Sequence, residues 1–254
     1  MQNDADNTAP GALCALDWPF YNVTFAYNDG EVTHRLRRPQ RQARDGNDFV
    51  NEAVKFFALT KSETFIKNGK RRTPAASDDA THNWLYDRLI KDVQGFEMPF
   101  GDGFCDELNV IYKKQALNAM AAYRVEILHE KTRRTMKGGS YVVKAWHGPE
   151  SAEHLVGEFT FDFWSEATKS AYKRSISIVE ERKGEEVVET VDMSMFEYLK
   201  VFDACIQSAT GCGVTVGDEV RPATVAELRE HADDFLKLRI AVLLVTQWER
   251  VQGK

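Results

Sequence analysis

One stretch of the sequence occurs twice. Its first copy runs Tyr86, Asp87, Ile90, Val93, Gly95 and its second runs Phe202, Asp203, Ile206, Ala209, Gly211, with every pair separated by 116 positions. Each copy reads as an amphipathic helix of about Trp84 to Gln94 or Met195 to Ala209, closed by a glycine suited to a helix C-cap. A repeat of this length implies that two similar packing units follow one another along the chain.

The match widens on both sides. Tyr112, Ala116 and Met120 fall on Leu228, Ala232 and Leu236 at the same offset of 116, and Gly30-Glu31-Val32-Thr33 falls on Gly157-Glu158-Phe159-Thr160 at an offset of 127. Around these anchors the local signals are consistent. Tyr21–Tyr27 and Glu31–Leu36 alternate about Asn28-Asp29-Gly30, a hairpin signature, and Arg37-Arg38-Pro39 ends the second strand. A helix is expected from Asn47, a solvated loop over Lys67–Asn83, and a helix over Asp106–Val125. In the second half Tyr141–Trp146, Glu158–Trp164 and Glu186–Val191 read as strands, Ser165–Val179 and Thr224–Gln247 as helices. The fold class is therefore α+β, with two related domains that are each a small antiparallel sheet packed with helices. Their expected limits are a disordered tail at 1–11, a first repeat at 12–135 and a second at 136–254.

This hairpin with its Arg-Arg-Pro exit, followed by a helix beginning Tyr/Phe-Asp, then glycine and an acidic-to-basic helix, resembles the tail-assembly (tail assembly chaperone-like) proteins of tailed bacteriophages and prophages. The matching residues are Gly30, Glu31, Thr33, Leu36, Arg38 and Pro39 in the hairpin, then Tyr86, Asp87, Gly95, Lys113 and Lys114. The second half keeps Gly157, Glu158, Thr160, Phe202, Asp203 and Gly211 but has Ser165-Glu166 where Arg38-Pro39 would sit. Those proteins are typically single units, so a fused pair departs from the pattern. The resemblance implies non-enzymatic scaffold work on a phage tail or tape-measure protein, in the bacterial cytoplasm or on the virion, with self-association into a homo-oligomer left open.

Composition bears on partners. A net charge of −6 disfavours a nucleic-acid binder, whose phosphate contacts need a basic face. No apolar run approaches the ~20 residues of a bilayer span. Basic residues cluster locally at Arg37 and Arg38, at Lys70, Arg71 and Arg72, and at Arg133 and Arg134, and these are the candidate partner-binding residues. No cofactor, metal or catalytic set is expected. Cys14, Cys105, Cys205 and Cys212 lack zinc or redox spacing, and the six histidines form no His-x-x-x-His pair. Asp102, Asp106 and Glu107 lack the spacing of a calcium loop, Asp106 and Glu107 are explained by a helix N-terminus, and Asp218 and Glu219 stand in a similar place in the second half. Asp87 and Asp203 are expected to face solvent or to cap a nearby amide. The alternative is an enzyme with a carboxylate or metal-assisted site between the halves, using these two aspartates.

Overall fold

The computed structural model describes residues 13–28, 30–39, 41–43, 49–51, 66–67, 70–71, 75–131, 139–148, 153–163, 176–183, 186–193 and 195–251. The fold is α+β. Two compact units divide the chain: an N-terminal unit of Trp18–Ala122 with Gly148–Ala152, and a C-terminal unit of Met1–Asp17, Tyr123–His147 and Glu153–Lys254. The division therefore falls after Ala122 rather than at 135, and the strand that follows Ala122 belongs to the second unit.

In the N-terminal unit, β2 (Phe20–Tyr27) and β3 (Gly30–Arg37) form the expected hairpin, and β8 (Ile90–Gln94) pairs with β3. Asn28 takes the positive φ of 50° that the tight turn demands. The helices are α1 (Ala75–Leu89), α2 (Phe104–Glu107) and α3 (Val110–Met120). Two short antiparallel pairs lie between β3 and α1: β4 (Arg41–Ala43) with β5 (Phe49–Asn51), and β6 (Ile66–Lys67) with β7 (Lys70–Arg71).

The C-terminal unit holds a four-stranded antiparallel sheet in the order β14-β11-β10-β9, from β9 (Tyr123–Lys131), β10 (Gly139–His147), β11 (His154–Phe163) and β14 (Ile206–Thr210). β12 (Ile176–Lys183) and β13 (Glu186–Met193) form a separate hairpin. β15 (Cys212–Val216) pairs antiparallel with β16 (Glu219–Pro222) and parallel with β1 (Cys14–Ala15), which sets Cys14 beside Cys212. Both thiols are free, and burial pushes each up to about 12, so they are unreactive as nucleophiles. Helices α4 (Met195–Cys205), α5 (Val225–His231) and α6 (Asp234–Val251) complete the unit.

Several expected elements change. Both repeated stretches switch from helix to strand at the isoleucine: α1 ends at Leu89 before β8, and α4 ends at Cys205 before β14. Gly95 and Gly211 then close a strand, not a helix, with φ of 96° and 78°. The residues from Phe49 to Asn51 are strand, the loop expected over Lys67–Asn83 is helical from Ala75, and Ile176–Val179 lies in β12 instead of a helix. Two long expected helices break, at Leu108–Asn109 and at Ala232–Asp233. The remainder of the helix expected from Asn47, and the tail at 1–11, lie outside the described residues.

The units share their internal geometry. β8 meets β3 through His34↔Val93 and Leu36↔Ile90 with an irregularity between Arg35 and Leu36; β14 meets β11 through Phe159↔Ala209 and Phe161↔Ile206 with one between Thr160 and Phe161. The hairpins thus correspond at an offset of 125, two residues from the sequence alignment. Tyr21 opposite Leu36 then matches Tyr141 opposite Phe161, and β2 matches β10. The closing helices correspond at 124 and not 116. The Asn109 side chain accepts from the Ile111 amide at 2.9 Å, and the Asp233 side chain accepts from the Phe235 amide at 2.7 Å. Just before these caps, the Leu108 amide donates to the Phe104 carbonyl and the Ala232 amide to the Leu228 carbonyl. Hence α3 matches α6.

Candidate functional site

The repeated aspartates do not simply face solvent. Asp87 accepts from Lys113 Nζ at 2.8 Å, and Asp203 accepts from Lys237 Nζ at 2.9 Å. Each lysine is almost wholly buried and lies over the aromatic ring that precedes its aspartate: Lys113 Nζ is 5.6 Å from the Tyr86 centroid, Lys237 Nζ 5.5 Å from that of Phe202. Lys237 also donates to the Arg229 carbonyl. A buried ammonium needs such partners, because an unpaired charge in the interior is costly. The two aspartates are thus structural anchors for one lysine in each unit.

Around this common frame the units differ. In the C-terminal unit Phe202 packs edge-on against Phe159 and Phe161 in an apolar core. In the N-terminal unit the corresponding positions hold His34, Leu36 and Tyr86. His34 Nδ1 and the Tyr86 hydroxyl are 2.7 Å apart, both side chains fully buried, while among the described residues His34 Nε2 has no hydrogen-bond partner. Burial lowers His34 from 6.5 to about 4, so the ring is neutral near pH 7. Burial likewise raises the Tyr86 hydroxyl, helped by the Cys105 and Asp87 charges. The Cys105 thiol is raised, first by burial and then by Asp87.

An aromatic cluster leads from this polar core to the surface. Phe25 stacks on His34 at 5.0 Å and on Tyr112 at 6.3 Å. Phe96 meets His34, Tyr27 and Tyr112 edge-on. Phe104 packs against Phe96 and Phe100. Phe25, Tyr27, Phe96 and Tyr112 are half-buried, Phe100 is exposed, and Ile111 on α3 is 57% exposed. Its counterpart on α6, Phe235, is 0% exposed.

Of the basic residues singled out in the sequence, Arg37 and Arg38 stand at the end of the hairpin. Arg37, at the end of β3, donates to the Arg38 carbonyl, and the Arg38 amide donates to the Pro19 carbonyl. Lys70 and Arg71 have their backbones in β7, and Arg72, Arg133 and Arg134 lie outside the described residues. Asp106 and Glu107 occupy the first turn of α2 as expected, whereas Asp218 follows the left-handed Gly217 in the turn before β16, with Glu219 its first residue. Among the described residues no group of three or more His, Cys, Asp or Glu side chains could hold a metal ion, and no helix is long and apolar enough to cross a membrane.

No family model, curated protein or solved structure matches the chain.

No motif in the sequence marks His34, Cys105 or either buried lysine as a member of the site. His34 was accessible through its spacing: it lies between Val32 and Leu36 on the inward face of a strand with period two. Lys113 and Lys237 each sit on the buried stripe of a helix, where a lysine calls for a carboxylate partner.

Proposed function

We propose that the chain is a non-enzymatic tail assembly protein of a phage or prophage, built from two copies of one ancestral α+β unit and acting through protein contacts. The observation that carries this reading is the aromatic face of the N-terminal unit. Phe25, Tyr27, Phe96, Phe100, Ile111 and Tyr112 give it large rigid side chains with partial exposure, the composition of a contact core rather than of a solvated surface. Asp87 and Asp203 serve here as anchors for buried lysines and not as acids or bases. The shared position of the strand irregularity, the paired helix caps and the two lysine–aspartate pairs support descent from one unit. The sequence resemblance described above supports a tail or tape-measure protein as the partner, in the bacterial cytoplasm or on the particle.

The test is binding to purified tape-measure and other tail proteins from the same genome, for the wild type and for a Phe100→Ser, Ile111→Ser variant. Ile111 is well exposed and Phe100 is partly so, and the variant's unfolding curve is compared with that of the wild type before binding is read. A complex that weakens at least about tenfold in the variant supports the reading, since exposed apolar anchors at a contact core each contribute on the order of 1 kcal/mol or more. Absence of any such complex, or one indifferent to both substitutions, overturns it.

A further inference from the structure

The two sheets correspond strand for strand except at one place. The C-terminal sheet runs β14-β11-β10-β9, and the N-terminal sheet runs β8-β3-β2. β2 is the counterpart of β10, so among the described residues the N-terminal sheet ends where the C-terminal sheet carries one strand more. From this we infer that the outer edge of β2 is a docking site for an extended segment of a protein partner, added antiparallel in the place β9 takes beside β10. The inference deepens the protein-contact reading above and names the kind of partner segment it needs.

Backbone parity shows which groups are available. The Arg38 amide donates to the Pro19 carbonyl, and hydrogen-bonded pairs alternate along an antiparallel ladder. Odd-numbered residues of β2 therefore bond to β3, and Asn22, Thr24 and Ala26 direct their amides and carbonyls outward. Their counterparts Val142, Lys144 and Trp146 are opposite His129, Glu126 and Arg124 of β9. The helix that packs against β2, α3, offers a second difference between the units. In the C-terminal unit α6 packs against β9, and its Phe235 and Leu236 are buried. The matching residues of α3 are Ile111, which is exposed, and Tyr112, which is half-buried. An added strand would thus complete a ladder and give the exposed Ile111 an apolar neighbour.

β9 also indicates the chemistry of the occupant. It places Tyr123, Val125 and Ile127 on one face with Arg124 and Glu126 on the other, the first three buried or half-buried and the last two exposed. The partner segment is accordingly extended, apolar at alternate positions and free of proline over about five residues, the pattern of β-strand addition.

The probe is a synthetic peptide with the sequence of Tyr123–Lys131, titrated into the full-length protein and read by fluorescence anisotropy and by amide exchange. Saturating peptide is expected to protect the Asn22 and Thr24 amides, and a scrambled peptide to bind more weakly. Thr24→Pro removes an outward donor that β3 does not use; peptide affinity should fall about tenfold, as expected for one lost hydrogen bond with its partner left unmet. Ile111→Glu should weaken binding similarly while leaving the ladder intact, which keeps the test decisive if the proline variant fails to fold. No binding at roughly 1 mM peptide, the weakest affinity worth assigning to a site, or affinity unchanged in the folded variants, overturns the inference. The outcomes separate the two readings. A tail-protein complex that is weakened by Phe100→Ser, Ile111→Ser but indifferent to Thr24→Pro removes the strand edge alone, and peptide binding without any tail-protein complex removes the tail assignment alone.

Discussion

Replacing His34 and Tyr86 by phenylalanine converts the N-terminal core to the chemistry that Phe159 and Phe202 already use in the C-terminal unit. In the wild type His34 is fully buried beside Phe25 and Phe96, with Tyr86 its hydrogen-bond partner. Its pKa is about 4 in the folded protein against 6.5 in an unfolded chain. The folded value is the lower one, so the neutral ring contributes stability that is fully present above pH 6.5 and is lost as pH falls towards 4. The whole shift is worth about 3.4 kcal/mol at 1.36 kcal/mol per unit, and about 2 kcal/mol of it disappears between pH 7.5 and pH 5. At pH 7.5 each single variant strands one buried polar atom, at a cost of about 1–3 kcal/mol, whereas the double variant removes both partners and is expected to be close to neutral. The assay is urea unfolding of all four proteins at pH 7.5 and pH 5. Wild type should lose about 2 kcal/mol more than the double variant on acidification. Equal losses, or single variants whose costs simply add in the double, would refute the reasoning.

The lysine pairs should respond asymmetrically. Asp87→Ala leaves the buried Lys113 ammonium unpaired and should cost about 3 kcal/mol in chemical unfolding, at the low end for a buried pair because Asp87 is partly exposed, whereas Lys113→Met should cost clearly less. Asp203→Ala and Lys237→Met should show the same order. Gly95→Ala would set a Cβ 2.1 Å from the Glu31 carbonyl oxygen at a φ of +96°, so a drop in melting temperature equivalent to more than about 1 kcal/mol is expected. Gly101→Ala, with nothing within 4 Å, should melt almost unchanged. Thr224→Ala removes the side chain that caps α5 in a reciprocal box with Glu227, and thermal melts should show a loss of about 1 kcal/mol.

How much of this was legible in the sequence depended on whether local patterns kept one period. The hairpin of β2 and β3 was, because Val32, His34 and Leu36 are buried and alternate with exposed or half-buried neighbours beside a turn that tolerates positive φ. The strands β8 and β14 were not. The irregularity in each ladder skips one residue, so their buried Ile90 and Val93, and likewise Ile206 and the half-buried Ala209, stand three apart, the spacing of a helix face. The breaks at Asn109 and Asp233 were hidden for a related reason, since apolar residues continue on both sides while one polar side chain restarts the helix. That shift changed the offset of the closing helices from 116 to 124 and concealed the match between Lys113 and Lys237. At the candidate site, the ion pairs join residues 26 and 34 positions apart, a distance over which no periodicity reports. The recurrence of Asp87 and Asp203 marked the right place, but the partner of each emerged only from the fold.

Amide exchange on the free protein, resolved residue by residue in β2 and β10, tests most directly the claim that the two units are built alike and differ, among the described residues, by one open edge. Val142 and Lys144, enclosed between β11 and β9, should exchange slowly, as should Val23 on the β3 side of β2. Asn22 and Thr24 should exchange near the rate of unstructured peptide. Equal protection of Asn22, Thr24, Val142 and Lys144 would contradict the account.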